Sequence, residues 1–258
     1  MASRLFSIIV ATLGSIASGG QPCDPITEVR LVGPFAGVHA NDGIAVWSTV
    51  RPSGNASLRL HANQEDLPQV MSSVDSRGTL VLGFVSGHTS SCVKAEISVP
   101  QPLAYAGASN SGEVIADEAA GLLQVSLGGE VVVGRLASAQ PLGVFAETRG
   151  EVAVGTGEAG LLTVSSGTRS VVTFGNMTAN ETLISASYKA SVSGLTVGVA
   201  HISAAGDSEV SLTATKAVTL VCSTSQVDIV GDAPTSSYND WRCEVKRNGT
   251  RVSGAIFP

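Results

Sequence analysis

From Leu103 to Pro234, aliphatic and small polar residues alternate in a pattern that returns about every 19 residues. Each unit has a stretch led by Leu or Ile, a small-polar turn, and a second stretch that starts on Glu-Val or Ser-Val. The valines at that second start are Val114, Val131, Val152, Val171, Val192, Val210 and Val227, at intervals of 17, 21, 19, 21, 18 and 17. No segment carries the 3, 4, 7 spacing of an amphipathic helix, and β-branched residues alternating with small polar ones favour strands. The period predicts an all-β chain wound into a parallel β-helix or β-solenoid-like stack of about seven coils, because one coil alone leaves half its apolar residues uncovered. The coils start at Leu103, Leu123, Leu142, Leu162, Leu183, near Ile202 and at Leu220. At about 4.8 Å per strand, seven of them make a rod of about 34 Å. Val125, Val144, Val164 and Val221 are expected to face its bore.

Residues 28–102 lack the clean period and form an N-terminal β region of the same body. Strands are expected at Val29–Val32, Gly43–Val50, Ser57–Ala62, Thr79–Phe84 and Lys94–Val99. Asn41, Asp42 and Gly43 predict a hairpin turn between the first two. Glu65–Val74 is the one helical candidate, a turn or two opened by acids and interrupted by Pro68. A stack needs covered ends, and the N-terminal strands and a cap over 235–258, with Tyr238, Trp241 and Phe257, are expected to supply them.

The ends and the composition add a compartment. Residues 1–19 run from Arg4 through an apolar stretch, Leu5 to Ile16, to Ala17, Ser18 and Gly19, the order of a secretory signal. The stretch is shorter than the about 20 apolar residues a membrane span needs. Cys23, Cys92, Cys222 and Cys243 follow it, an even number in an exported chain, which favours disulfides with three pairings open. None has the CxxC spacing of a zinc site. Asn55, Asn176, Asn180 and Asn248 each begin an Asn-x-Ser/Thr acceptor, which places them in exposed turns if glycans are added. A protein secreted or held at an extracellular surface is therefore expected.

Charge narrows the partners. The chain has 15 Lys and Arg against 21 Asp and Glu; removing Arg4 leaves 14 against 21, a net charge of −7. Such a chain has no basic footprint for nucleic acid or an anionic membrane. Arg242, Lys246, Arg247 and Arg251 form a short basic edge.

Glu113, Glu130 and Glu151 occupy one place in three successive coils, and Glu209 returns to it in the sixth. Carboxylates stacked about 4.8 Å apart repel unless a cation or a shared proton lies between them. That is the geometry of a Ca²⁺ site or an acid/base pair, and equally of solvated turn residues. His39, His61, His88 and His201 show no ligand spacing, and no strand-turn-helix nucleophile motif is present. Thr163, Ser165 and Thr173 form hydroxyl ladders able to bond sugars. No catalytic residue and no resident cofactor are assigned.

Several segments carry a family resemblance. Phe35-Ala36-Gly37-Val38 follows an opening strand, Leu58 to Leu67 reads LRLHANQEDL, and Gly78 to Leu82 reads GTLVL. Val99, Pro100 and Leu103 lead into a Ser111-Gly112 turn, and Asp228 to Pro234 closes the region. Over about Val29 to Pro234 the chain resembles the bacterial putative autotransporter adhesin head, or GIN, domain family. It departs from that pattern where the closing Tyr is Val230, in many Ser-Gly turns, and in its cysteines and tail. The resemblance implies a parallel β-helix-like fold and carries over no catalytic residue.

The expected function is a non-enzymatic structural or adhesive module that binds a glycan or a surface protein, with self-assembly through its flanks open. The alternatives are an extracellular β-helical polysaccharide-processing enzyme using the glutamate column, with Arg135 and Arg149 as the nearby cations, and a self-assembling coat component.

Overall fold

The structure, a computed structural model, describes residues 23–252 apart from 87, 89, 138–140 and 240–241. The expected signal at 1–19 and the cap residues Trp241 and Phe257 lie outside the described residues. Numbered in chain order, the strands of the N-terminal region are β1 (Ile26–Arg30), β2 (Gly37–Ala40), β3 (Ala45–Val50), β4 (Ser57–Ala62), β5 (Val70–Val74), β6 (Thr79–Phe84) and β7 (Lys94–Val99). Those of the repeat are β8 (Leu103–Ala108), β9 (Glu113–Val125), β10 (Glu130–Ala137), β11 (Leu142–Ala146), β12 (Glu151–Ser166), β13 (Val171–Ser187), β14 (Ser191–Ala205) and β15 (Glu209–Ser223). Four short strands complete the described residues: β16 (Gln226–Val230), β17 (Thr235–Asn239), β18 (Glu244–Arg247) and β19 (Thr250–Val252).

From β8 onward each strand pairs in parallel with the coil before and after it, which is the solenoid that the period predicts. Within a long strand such as β12 the inward positions are Val152 and Val154, then Ala159, then Leu162, Val164 and Ser166. The period-two alternation slips after Val154 and again after Ala159. Two slips plus the turn at 167–170 divide the coil into three sides. The first slip is marked by glycine: a Cβ at Gly155 would lie 2.6 Å from the Gly134 carbonyl oxygen, and one at Gly175 would lie 2.6 Å from that of Gly155. The corner holds only because no side chain stands there.

The turn between the third side of one coil and the first side of the next uses left-handed backbone, at Asn110 and Ser111, Thr148 and Arg149, and Tyr188 and Lys189 among others. The turns stack as the strands do: Gly128 N–H donates to the Thr148 carbonyl at 3.0 Å, and Arg149 N–H to that of Thr168 at 2.9 Å. The residue just before each first side is small, Gly112, Gly129, Gly150, Ser170, Ala190, Ser208 and Ser225 in turn. A Cβ at Gly129 would lie 2.5 Å from the Ala108 carbonyl oxygen. Where serine replaces glycine its hydroxyl is put to use, as Ser170 Oγ donates to the Ala146 carbonyl at 2.9 Å in a fully buried position.

Two valine assignments are corrected. In the fourth coil Val172, fully buried, is the inward residue, and Val171 is 36% exposed; Val172 pairs with Val152 and Val192. Val171 fills the outward place that Glu151 holds in the coil before it, so the Ser-Val pair falls one residue early, and a shift of one residue swaps faces. Val221 is likewise 53% exposed, while its neighbours Leu220 and Cys222 face inward. Val125, Val144 and Val164 are fully buried as expected.

The N-terminal region contributes coils rather than a separate layer. Strand β2 pairs in parallel with both β6 and β8, and β3 with both β7 and β9. The coil β2–β3 is therefore sandwiched between the coil that follows it in sequence, β6–β7, and the start of the repeat. Asn41 to Gly43 forms a solenoid corner between β2 and β3, not a hairpin, with positive φ at Asp42 and Gly43. The helical candidate shrinks to a single 3₁₀ turn, Leu67–Gln69, because Pro68 removes a donor and β-branched Val70 starts a strand that pairs antiparallel with β6. Strand β4 adds antiparallel to β7 and β1 antiparallel to β4, which shields that edge, and the β18–β19 hairpin lies at the other. The described part of the tail thus forms strands on the stack.

Two disulfides resolve the three pairings: Cys23–Cys92, which closes a sequence separation of 69, and Cys222–Cys243, which closes 21. Among the described residues no helix is long and apolar enough to cross a membrane.

Candidate functional site

The first side of the stack displays one outward column across ten parallel strands: Lys94, Ala45, Glu113, Glu130, Glu151, Val171, Ser191, Glu209, Gln226 and Glu244. Glu113, Glu130 and Glu151 are consecutive in it, as the spacing predicts; Glu209 is separated from them by Val171 and Ser191. Burial raises the Glu113 carboxyl above its ordinary value, and Lys94 opposes that shift. Burial and then repulsion from Glu113 and Glu151 raise Glu130. Glu113 and Glu130 therefore hold protons more tightly than free glutamate does. Among the described residues no three His, Cys, Asp or Glu side chains converge to hold a metal ion. Of the two arginines considered for charge neutralisation, Arg135 lies 3.5 Å from Glu118 on the second side, and Arg149 sits in a turn at positive φ. Beside the glutamates run half-buried Trp47, Ile115 and Val132, with the Lys94 ammonium 5.2 Å from the Trp47 ring centroid.

A second assembly lies at the N-terminal end, where three chain segments meet around an open cleft of about 760 Å³. The corner residue Asp42 forms one wall, the β4–β5 connection with Asn63, Glu65, Asp66 and Gln69 another, and the loop with His88, Ser90, Ser91 and Cys92 the third. Asp66 is the anchor, only 5% exposed. Its Oδ1 accepts from His88 Nε2 at 2.8 Å and its Oδ2 from Ser90 Oγ at 2.8 Å. Ser90 Oγ also accepts from the Cys92 N–H at 3.2 Å, and Cys92 is tied to Cys23. The His88 ring packs edge-on against Phe84, with centroids 5.0 Å apart. Sequence reading missed this cluster: Asp66, His88 and Ser90 have no motif spacing, and His88 and Cys92 drew notice only singly.

The other histidines stay apart. His39 links β2 to the repeat through Tyr105 Oη, 2.7 Å from Nδ1, and Ser109 Oγ, 3.1 Å from Nε2. Burial lowers the His39 value and raises that of Tyr105. His61 lies 3.5 Å from Glu96 and His201 3.7 Å from Glu181. Of the hydroxyl ladder, Thr163 and Ser165 share the third side and Thr173 is on the first, all half-buried. Asn55 is in an exposed turn, whereas Asn176 and Asn180 lie inside β13, exposed on the second side, rather than in turns. Asn248 Oδ1 accepts from the Gly231 N–H at 2.8 Å. In the basic edge, Arg247 donates to the Ala233 carbonyl at 2.9 Å and Lys246 lies 3.6 Å from Glu244.

Comparison with known proteins bears on the fold. A putative adhesin from Parabacteroides distasonis superposes with a TM-score of 0.72 at 14% identity, covering 88% of this chain and 95% of its own. A putative adhesin from Bacteroides fragilis gives 0.66 at 17% identity over 89% of this chain and 100% of its own. A second Parabacteroides distasonis structure, described as a putative lipid binding protein, gives 0.65 at 14% identity over 86% of this chain and 96% of its own. At these identities the likeness is one of fold. No curated protein matches the sequence. The sequence profile of one family covers residues 34–233, from the first solenoid strand to the end of the repeat, and on that match the chain belongs to the family described as putative auto-transporter adhesin, head GIN domain.

Proposed function

We propose that this chain is a non-enzymatic adhesive module, secreted or displayed at an extracellular surface, that holds a glycan or a surface protein against its stack. The observation that carries this reading is the first side: one column of ten in-register strands, nine steps of about 4.8 Å, makes an unbroken flank of about 43 Å. A rigid ruler of that length suits repeated weak contacts along an extended partner. Family membership and the adhesin-like neighbours agree with it.

The glutamate column argues against glycoside hydrolysis. Two catalytic carboxyls must flank the scissile bond, whereas Glu113, Glu130 and Glu151 stand in one row on one side of any ligand. Two disulfides suit an oxidising compartment. Glycans at Asn176 and Asn180 would cover the second side and leave the first and third free. A glycan array and a panel of surface proteins test the reading, with reducing-sugar release measured in parallel. Binding without product supports it. Product release that disappears in Glu130→Gln overturns it in favour of an enzyme.

A further inference from the structure

We infer that the cleft at the N-terminal end is a carbohydrate subsite for a sugar residue that bears a free amine. The inference rests on the adhesive reading above and assigns that reading a ligand class and a place.

Three features of the cleft point to it. Its size, about 760 Å³, lies within the range of small-ligand sites, about 300–1,000 Å³, and leaves room for more than one sugar ring. Its charge is one-sided: Asp42, Glu65 and Asp66 line it, and among the described residues no Lys or Arg does. That field attracts an ammonium and repels carboxylate, phosphate and sulfate groups. Its polar lining is rich in acceptors. Asp66 accepts from His88 Nε2, and the side chains of Asp42, Asn63 and Glu65 present further acceptor oxygens. Gln69 and Ser91 supply side chains that both donate and accept, the chemistry that meets vicinal hydroxyls.

A lysine side chain would also satisfy the charge, but the described lining offers no aliphatic slot for its four-carbon stem. Among the described residues the lining contains no Val, Leu, Ile, Met or Phe, and its polar groups are spread over three walls, as a ring with hydroxyls on several carbons requires. The walls are preorganised. Buried Asp66 holds His88 and Ser90, and the Cys23–Cys92 bond fixes the loop that carries them, so a ligand meets groups already in place.

Calorimetric titration of the whole protein tests this with three probes: a glucosamine oligomer, an N-acetylglucosamine oligomer and sialyllactose. The glucosamine oligomer is expected to bind best, more weakly as salt rises, and sialyllactose not at all. Glu65→Gln alters an exposed carboxylate and leaves the fold intact, and it should weaken glucosamine binding about tenfold, as loss of one charge-assisted contact does. The double variant Cys23→Ser, Cys92→Ser should weaken it further by releasing the wall. Equal binding of sialyllactose, or glucosamine binding untouched by Glu65→Gln and by Gln69→Ala, overturns the subsite. If glycan or protein binding then persists elsewhere on the stack, the adhesive reading stands without it. If the protein binds no glycan and no surface protein, that reading falls as well.

Discussion

Val171 and Val172 are neighbours with the same side chain in the same strand, and the stack gives them opposite fates. Val172 is fully buried between Val152 and Val192, whereas Val171 is 36% exposed in the outward column. Truncation of each to alanine therefore isolates burial, since the loss of strand propensity is common to both. Val172→Ala removes two methylene equivalents from the core, about 1.6 kcal/mol of transfer free energy at about 0.8 each. A residual void of about 40 Å³ adds about 1 kcal/mol, for a total of about 2.5 kcal/mol. Val171→Ala should cost under about 0.5 kcal/mol beyond the shared propensity loss. Both sit mid-stack, so the same cooperative unit reports on each. Urea unfolding followed by far-ultraviolet circular dichroism reads the difference, with unchanged m-values as the control. A thermal scan should show the Val172 variant melting about 5–10 °C lower. Equal losses, or a larger loss at Val171, would refute the register on which the three-sided coil rests.

Other outcomes follow from the same geometry. Gly155→Ala should destabilise by about 1–3 kcal/mol, because its Cβ would meet the Gly134 carbonyl oxygen at 2.6 Å, while Gly33→Ala, with open space around it, should be neutral in the same urea series. Glu130→Gln should raise stability at pH 7, since burial and two flanking carboxylates disfavour its charge in the folded state. That gain should fade as pH falls through the raised folded value and vanish below the ordinary 4.5, where the unfolded carboxyl is also protonated. His39 has the opposite sign: with its folded value lowered by burial, its contribution is full above the ordinary 6.5 and is lost as pH falls through the folded value. His39→Gln should flatten that part of the stability–pH curve. Removing Cys222–Cys243, which closes 21 residues, should cost about 3 kcal/mol, and removing Cys23–Cys92, which closes 69, about 4 kcal/mol, measured as unfolding free energies of Cys→Ser pairs.

The amino-acid sequence determined the coil. A recurring valine with glycine or serine before it specifies a buried strand entered through a tight corner, and this local signal repeats every coil. Glu113, Glu130 and Glu151 could be stacked on paper because equal spacing in a parallel solenoid means equal position. Where valine fills the outward place that glutamate holds in other coils, as at Val171, the signal pointed to the wrong valine, because side-chain direction depends on a parity that only pairing fixes. The order of the N-terminal coils was decided by tertiary structure: β2–β3 serves as the template for both β6–β7 and the repeat, and nothing local in those strands encodes which neighbour they choose. The cleft was decided in the same way. Asp66, His88 and Ser90 acquire their shared hydrogen bonds only because a disulfide and two antiparallel strands fold distant loops over the end of the stack. Contacts of that kind depend on where chain segments close in space, and spacing along the chain carries no trace of them.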